Sequence, residues 1–135
     1  MDWLNYLSFS ETGWGDELLS GLGVTLSLAL VTLPVGLLLG LLVAAVSLFA
    51  RPVWRSVAVA FTTTIRGLPE LLTLFIIYHG VGLGINSLLK WYSPQAGYFE
   101  LSPFLAGVVA LGLVFAGYAS EVLRGAWQAL DHGQL

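Results

Sequence analysis

The chain has 135 residues, of which 57% are hydrophobic and only 10% charged, with a formal net charge of -3 and no cysteine. About a quarter of the residues in a soluble domain are charged, so this composition has too little polar surface to wrap a water-exposed core and belongs in a membrane. Five basic residues argue against a nucleic-acid partner, which needs clustered Lys and Arg, and the lack of cysteine excludes disulfides and thiolate metal sites.

Met1 to Glu17 is polar and aromatic by turns, with Trp3, Tyr6, Phe9 and Trp14 set among glycines and acids. Residues 1–20 are read as a periplasmic or interfacial segment. They have no Lys or Arg, so they lack the basic start of a secretory signal peptide. Leu18 to Ala50 then runs 33 residues without a charge, more than one crossing needs, so either an entry turn around Gly21 and Gly23 or a tilted helix is expected, with a first span at about 22–49. Gly36, Gly40 and Ala44 share one helix face, and small faces let backbones approach closely in lipid. Pro34 deprives the helix of a donor opposite the Leu30 carbonyl, and Thr32 stands near enough to help satisfy it.

Arg51, Pro52 and Arg55 close the span in a short basic connection, which the positive-inside rule places in the cytoplasm. The N-terminus is then outside and the chain's C-terminal end cytoplasmic. All five tryptophans fall outside or at the ends of the spans, as an interfacial belt requires. A second span is expected at about 57–83. It contains Thr62-Thr63-Thr64-Ile65-Arg66-Gly67-Leu68-Pro69-Glu70, where Gly67 and Pro69 interrupt the helix. Arg66 and Glu70, four apart, pair if helical geometry survives the proline. Ionisable groups beside a broken membrane helix face a cavity, a partner or an interface, so Arg66, Gly67, Pro69 and Glu70 are candidates for a pathway or gate.

Asn86 to Leu101 reads as an outer loop rich in interfacial aromatics. Ser102-Pro103 then pairs a capping residue with proline at the first helical position and opens a third span at about 102–123. Leu101 to Ser120 is a 20-residue stretch without charge. Small residues recur along it at Ala106 and Ala110 and at Gly112, Ala116 and Ser120, a packing face for a neighbouring helix or a second subunit. The helix continues into Glu121, Arg124 and Gly125, and Glu121 and Arg124 are spaced to pair. Neither a metal-ligand constellation nor a nucleophile–base pair appears, so neither cofactor nor catalysis is expected.

Four stretches in order carry a resemblance: Gly21-x-x-x-Thr25-Leu26, Arg66-Gly67-Leu68-Pro69-Glu70, Leu101-Ser102-Pro103-Phe104, and Gly117-Tyr118-Ala119-Ser120-Glu121-Val122-Leu123-Arg124-Gly125. From Gly21 to Leu135 the chain resembles the permease subunit of bacterial ATP-binding-cassette importers for polar amino acids. Leu68 and Glu70 depart from the Arg-Gly-Thr-Pro-apolar pattern of most of the family, toward the branch serving histidine, lysine, arginine and the opines octopine and nopaline. An acidic residue beside the path suits a cationic solute.

The resemblance implies an all-α, multi-pass protein of the inner membrane with part of a type I importer permease fold in residues 21–135. Its implied partners are two cytoplasmic ATPase subunits, a second permease subunit, a periplasmic solute-binding protein and membrane lipid. Family members continue past a Gly-Gln like Gly133-Gln134 into an ATPase-docking loop, so the resemblance implies that 1–135 is the N-terminal part of a permease. Asp131-His132 stands where Pro-Lys is usual. Gly117, Glu121, Arg124 and Gly125 are then candidates for the cytoplasmic coupling end. Two other readings compete: a three-span scaffold using its glycine faces, including Gly36, Gly40, Ala44, Gly112 and Ala116, and a proton-coupled carrier using His79 and Glu70.

Overall fold

The computed structural model describes residues 3–130, so the Asp131-His132 and Gly133-Gln134 pairs lie outside the described residues. The chain divides into two compact units at Val31/Thr32. A 3-10 turn, Trp3–Leu7, is followed by four helices: α1 Gly15–Phe49, α2 Pro52–Gly67, α3 Glu70–Tyr92 and α4 Pro103–Ala129. Three of them, α1, α3 and α4, are long and apolar enough to cross a membrane.

In the first unit, the Trp14 amide donates to the Tyr6 carbonyl at 2.7 Å and the Gly15 amide to the Ser8 carbonyl at 3.2 Å. These bonds fold the N-terminal turn back against the start of α1. Gly13 is required there, because a Cβ would collide with the Ser8 carbonyl. The entry turn at Gly21 and Gly23 does not form. The helix runs through both, and the Thr25 and Ser27 hydroxyls donate to the Gly21 and Gly23 carbonyls. In lipid an unpaired peptide group costs several kcal/mol, roughly, so the backbone stays helical where glycine in water would permit a turn.

The second span also differs from the expected 57–83. Leu68 and Pro69 are both extended, at φ/ψ of -93/141 and -60/140, and they split the stretch into α2 and α3. The proline ring disfavours helical geometry at the residue before it and ends α2. Thr73 restarts the ladder, its amide and hydroxyl both donating to the Pro69 carbonyl at 3.0 and 3.2 Å. The apolar run after Glu70 then carries α3 through Gly80, Gly82 and Gly84 as far as Tyr92, nine residues beyond the expected end. α1 and α4 likewise overrun the expected 22–49 and 102–123.

The core of the second unit is α4. Its Ala106, Ala110, Gly112, Ala116, Gly117 and Ser120 are buried, with Ala116 fully shielded, and α2 and α3 both pack on it. Within this unit the buried positions of α1 are Thr32, Gly36, Gly40 and Ala44, one per turn. The two small faces meet: a Cβ added at Gly40 would lie 2.9 Å from the Ala119 Cβ and 3.2 Å from the Ala116 carbonyl oxygen, and one at Gly36 would strike Phe115 and the Gly112 carbonyl. Helices approach this closely only where side chains are absent, and that proximity gives dispersion contacts a role the hydrophobic effect cannot fill in lipid. Phe49 and Trp127 cap the contact edge to face, 5.3 Å between centroids. Thr32 does not assist at Pro34 as expected. It is buried, and its hydroxyl has no hydrogen-bond partner among the described residues.

Asn86 lies within α3 rather than opening a loop. Its amide donates to the Gly82 and Phe99 carbonyls, each at 2.8 Å, and its carbonyl oxygen accepts from the Phe99 amide at 2.6 Å. The side chain acts as a short β-partner and pins the extended segment before α4 to α3.

Gly40→Ala should lower the stability of the solubilised protein by about 1–3 kcal/mol, because the clash is with backbone and a Cβ that cannot move aside. Gly80→Ala, with open space around it, should leave stability unchanged or slightly raised. Thermal unfolding of the two variants side by side checks this.

Candidate functional site

The break and the charged end of the third span were separate candidates in the sequence, 55 positions apart from Arg66 to Glu121. In the fold they form one site. α2 buries Ala58 and Thr62 one turn apart, and α4 buries Gly117. Ile65 packs so closely on Gly117 that an added Cβ would lie 3.0 Å from Ile65 Cγ2. This contact brings the last turn of α2 alongside the stretch of α4 from Gly117 to Arg124. Arg66 Nη1 lies 3.4 Å from Glu121 Oε2, and Arg124 Nη2 donates to the same oxygen at 3.3 Å. The Arg66 guanidinium also stands 5.8 Å from the centre of the Tyr118 ring.

Glu121 is the hub. One carboxylate is shared by two guanidiniums, so the cluster carries a net charge of +1. It is partly shielded, with side-chain exposures of 46% for Arg66, 26% for Glu121 and 32% for Arg124, so each pair contributes on the order of 0.2–1 kcal/mol rather than the energy of a dry ion pair. From Pro103 to Glu121 the helix rises about 27 Å, so the cluster sits near one face of a hydrocarbon core of about 30 Å.

The pairing of Arg66 with Glu70 does not occur, because Leu68 and Pro69 are extended and the two side chains no longer share a helix face. Glu70 instead starts α3, where its charge complements the helix dipole; it is exposed and forms no ion pair with a described residue. Gly67 and Gly125 have open space where a Cβ would be. His79 stacks on Phe75 at 6.3 Å and 7°. It stands nine residues from Glu70 on α3, about 14 Å of rise, too far to pass a proton directly.

Two features escaped sequence reading. Tyr118 was one aromatic among many, and only the neighbouring Arg66 gives it meaning. The outward face of α2 is polar: Arg55, Ser56, Thr63 and Thr64, with Val59 and Ala60, line an open recess of about 470 Å³. The Thr-Thr-Thr run was visible, but which hydroxyls face away from the bundle depends on α4 taking the Thr62 side.

These elements define a multi-span α-helical membrane protein with a broken helix and a shared-carboxylate cluster at one end of the bundle. Comparison with known proteins narrows the class. Over 135 residues the chain is 33% identical to the octopine transport system permease protein OccQ of Agrobacterium tumefaciens (strain Ach5), covering 100% of this chain and 56% of the relative. It is 38% identical over 131 residues to the arginine ABC transporter permease protein ArtQ of Escherichia coli (strain K12), covering 87% of this chain and 54% of the relative. With the histidine/lysine/arginine/ornithine transport system permease protein HisQ of Salmonella typhimurium it shares 31% identity over 91% of this chain and 53% of the relative. A chain in the crystal structure of an amino acid ABC transporter with histidines superposes with a TM-score of 0.71 at 30% identity, covering 90% of this chain and 50% of that one. No family model matches. The homologues of this chain are thus permease subunits of ABC transporters, and its fold is theirs; the chain spans about half the length of the relatives it matches.

If Glu121 ties α2 to α4, the destabilisations from Arg66→Ala and Glu121→Ala should fail to add, with a coupling of about 0.5–1 kcal/mol that shrinks in high salt. Thermal unfolding of both single variants and the double variant gives this number. The Arg66→Ala and Glu70→Ala pair should be additive.

Proposed function

We propose that the chain forms part of the permease subunit of an ATP-binding-cassette importer that moves a basic amino acid or opine across the bacterial inner membrane. The observation that carries the reading is the Arg66–Glu121–Arg124 cluster joining a broken helix to the end of the central helix, in a chain whose relatives are such permeases. In this reading the N-terminus is outside, residues 1–20 lie at the outer interface and residues 21–135 are permease. Arg51 and Arg55 hold the α1–α2 turn in the cytoplasm, where Arg55 also donates weakly to the Leu48 and Ala50 carbonyls that end α1.

The partners are a second permease subunit, two cytoplasmic ATPase subunits that carry the hydrolytic chemistry, a periplasmic solute-binding protein and the surrounding lipid. This chain contributes conformational change rather than catalysis. The extended Leu68-Pro69 pair lets α2 move apart from α3, while Glu121 holds the last turn of α2 to α4. A displacement at the far end of α4, where the Glu121, Arg124 and Gly125 stretch leaves the bilayer, then reaches α2 and shifts its polar face of Ser56, Thr63 and Thr64 along the solute path. Glu70 adds a negative charge beside that path.

The test is uptake of labelled arginine by the complete transporter, purified with its partners through a tag at the genomic locus and reconstituted in liposomes. ATP-dependent uptake is expected, with Glu121→Gln reducing uptake at least tenfold while the ATPase subunits still co-purify. Uptake that follows a proton gradient without ATP, or no co-purifying ATPase, would overturn the reading.

A further inference from the structure

At the opposite end of the bundle from Glu121, a recess of about 190 Å³ lies between α3 and the extended segment before α4, lined by Tyr78, His79, Tyr98, Phe99 and Glu100 among others. Its rim is a built feature. Asn86 grips the Phe99 backbone through both amide and carbonyl, which fixes the residues on either side, Tyr98 and Glu100, in an extended strap over α3. The Glu100 carboxylate forms no ion pair with a described residue. Tyr78 and His79 also border a second recess of about 360 Å³, otherwise apolar, walled by Leu74, Phe75, Pro103 and Ala106. A carboxylate without an ion-pair partner among the described residues, beside aromatic faces, suits a cation, and an adjoining apolar wall suits the methylene stem that carries it.

We infer that this recess recognises the cationic side chain of the transported solute, a guanidinium or ammonium on an aliphatic stem, with Glu100 as the charge partner and Asn86 as the positioning residue that holds Glu100 in place. The inference rests on the importer reading and adds to it the specificity determinant. The acidic recess is smaller than the roughly 300–1,000 Å³ of pockets that enclose a drug-sized ligand, so it takes one end of an amino acid rather than the whole molecule. Glu100 and Glu70 are both exposed, but Glu100 lines this recess and Glu70, near the other end of α3, lines neither of the two.

The experiment compares arginine with citrulline, which matches its shape but replaces the guanidinium with a neutral urea. KM for both is measured by ATP-driven uptake with the complete reconstituted transporter, and affinity for both by calorimetry on the purified complex. The unaltered transporter should favour arginine. Glu100→Gln should erase at least tenfold of that preference by raising the arginine KM far more than the citrulline KM. Asn86→Ala should narrow the preference in part, and Glu100→Asp should retain most of it. An arginine-to-citrulline ratio that stays within twofold of the unaltered value in Glu100→Gln overturns the inference. If Glu100→Gln does not assemble, the ratio in Asn86→Ala decides by the same criterion. Absence of ATP-driven uptake by the unaltered complex would instead sink the importer reading, and the calorimetric ratio would still judge the recess.

Discussion

The close approach of backbones along α4 is the constraint on which the rest of the second unit depends. In lipid, apolar side chains gain little by leaving the acyl chains for one another, so helices associate where small residues let dispersion contacts accumulate. Gly36 and Gly40 let α1 touch Gly112, Ala116 and Ala119, and Gly117 lets Ile65 of α2 settle against α4. An added methyl group would clash at Gly36 and Gly40 and would crowd Ile65 at Gly117. The charged cluster follows from them, since Arg66 reaches Glu121 only because Ile65 has already brought α2 against Gly117.

The helix break has the complementary role. Leu68 and Pro69 remove the hydrogen bonds that would make α2 and α3 one rod, and the Thr73 hydroxyl satisfies the Pro69 carbonyl that the restart exposes. α2 is thereby attached to α4 by packing and by a shared carboxylate, and to α3 by two extended residues. A partly exposed ion pair worth on the order of 1 kcal/mol or less is a good candidate for a contact that can part and re-form cheaply. A dry pair would be a poor candidate, since separating it exposes an uncompensated buried charge.

Much of this was legible in the sequence because membrane helices announce themselves by length and charge. Three apolar crossings, the interruption at Gly67 to Pro69, and Ser102-Pro103 starting the last helix could all be read from local rules. The start of α1 and the end of α3 fall outside the expected bounds because Gly21, Gly82 and Gly84 are helix breakers in water. In lipid the obligation to pair every peptide group overrides them. The partner of Arg66 was missed for a different reason: Glu70 was near in sequence, whereas Glu121 is near only after α2 docks. Asn86 escaped because its role is to imitate a backbone, which leaves no mark in composition or periodicity.

The seat of Ile65 on Gly117 joins the break to the charged end, and the chain's lack of cysteine makes it directly measurable. An added Cβ at Gly117 would lie 3.4 Å from the Ile65 Cβ, close to the separation of about 3.5–4.5 Å that a disulfide spans, and Ile65→Cys removes the methyl that would otherwise clash. The Ile65→Cys/Gly117→Cys double variant, oxidised mildly in native membranes and digested for mass spectrometry, should yield the cross-linked peptide pair in most molecules. Recovery of the two peptides with free thiols under conditions that oxidise exposed cysteines would mean that α2 does not rest on α4, and the link from the break to Glu121 would be lost.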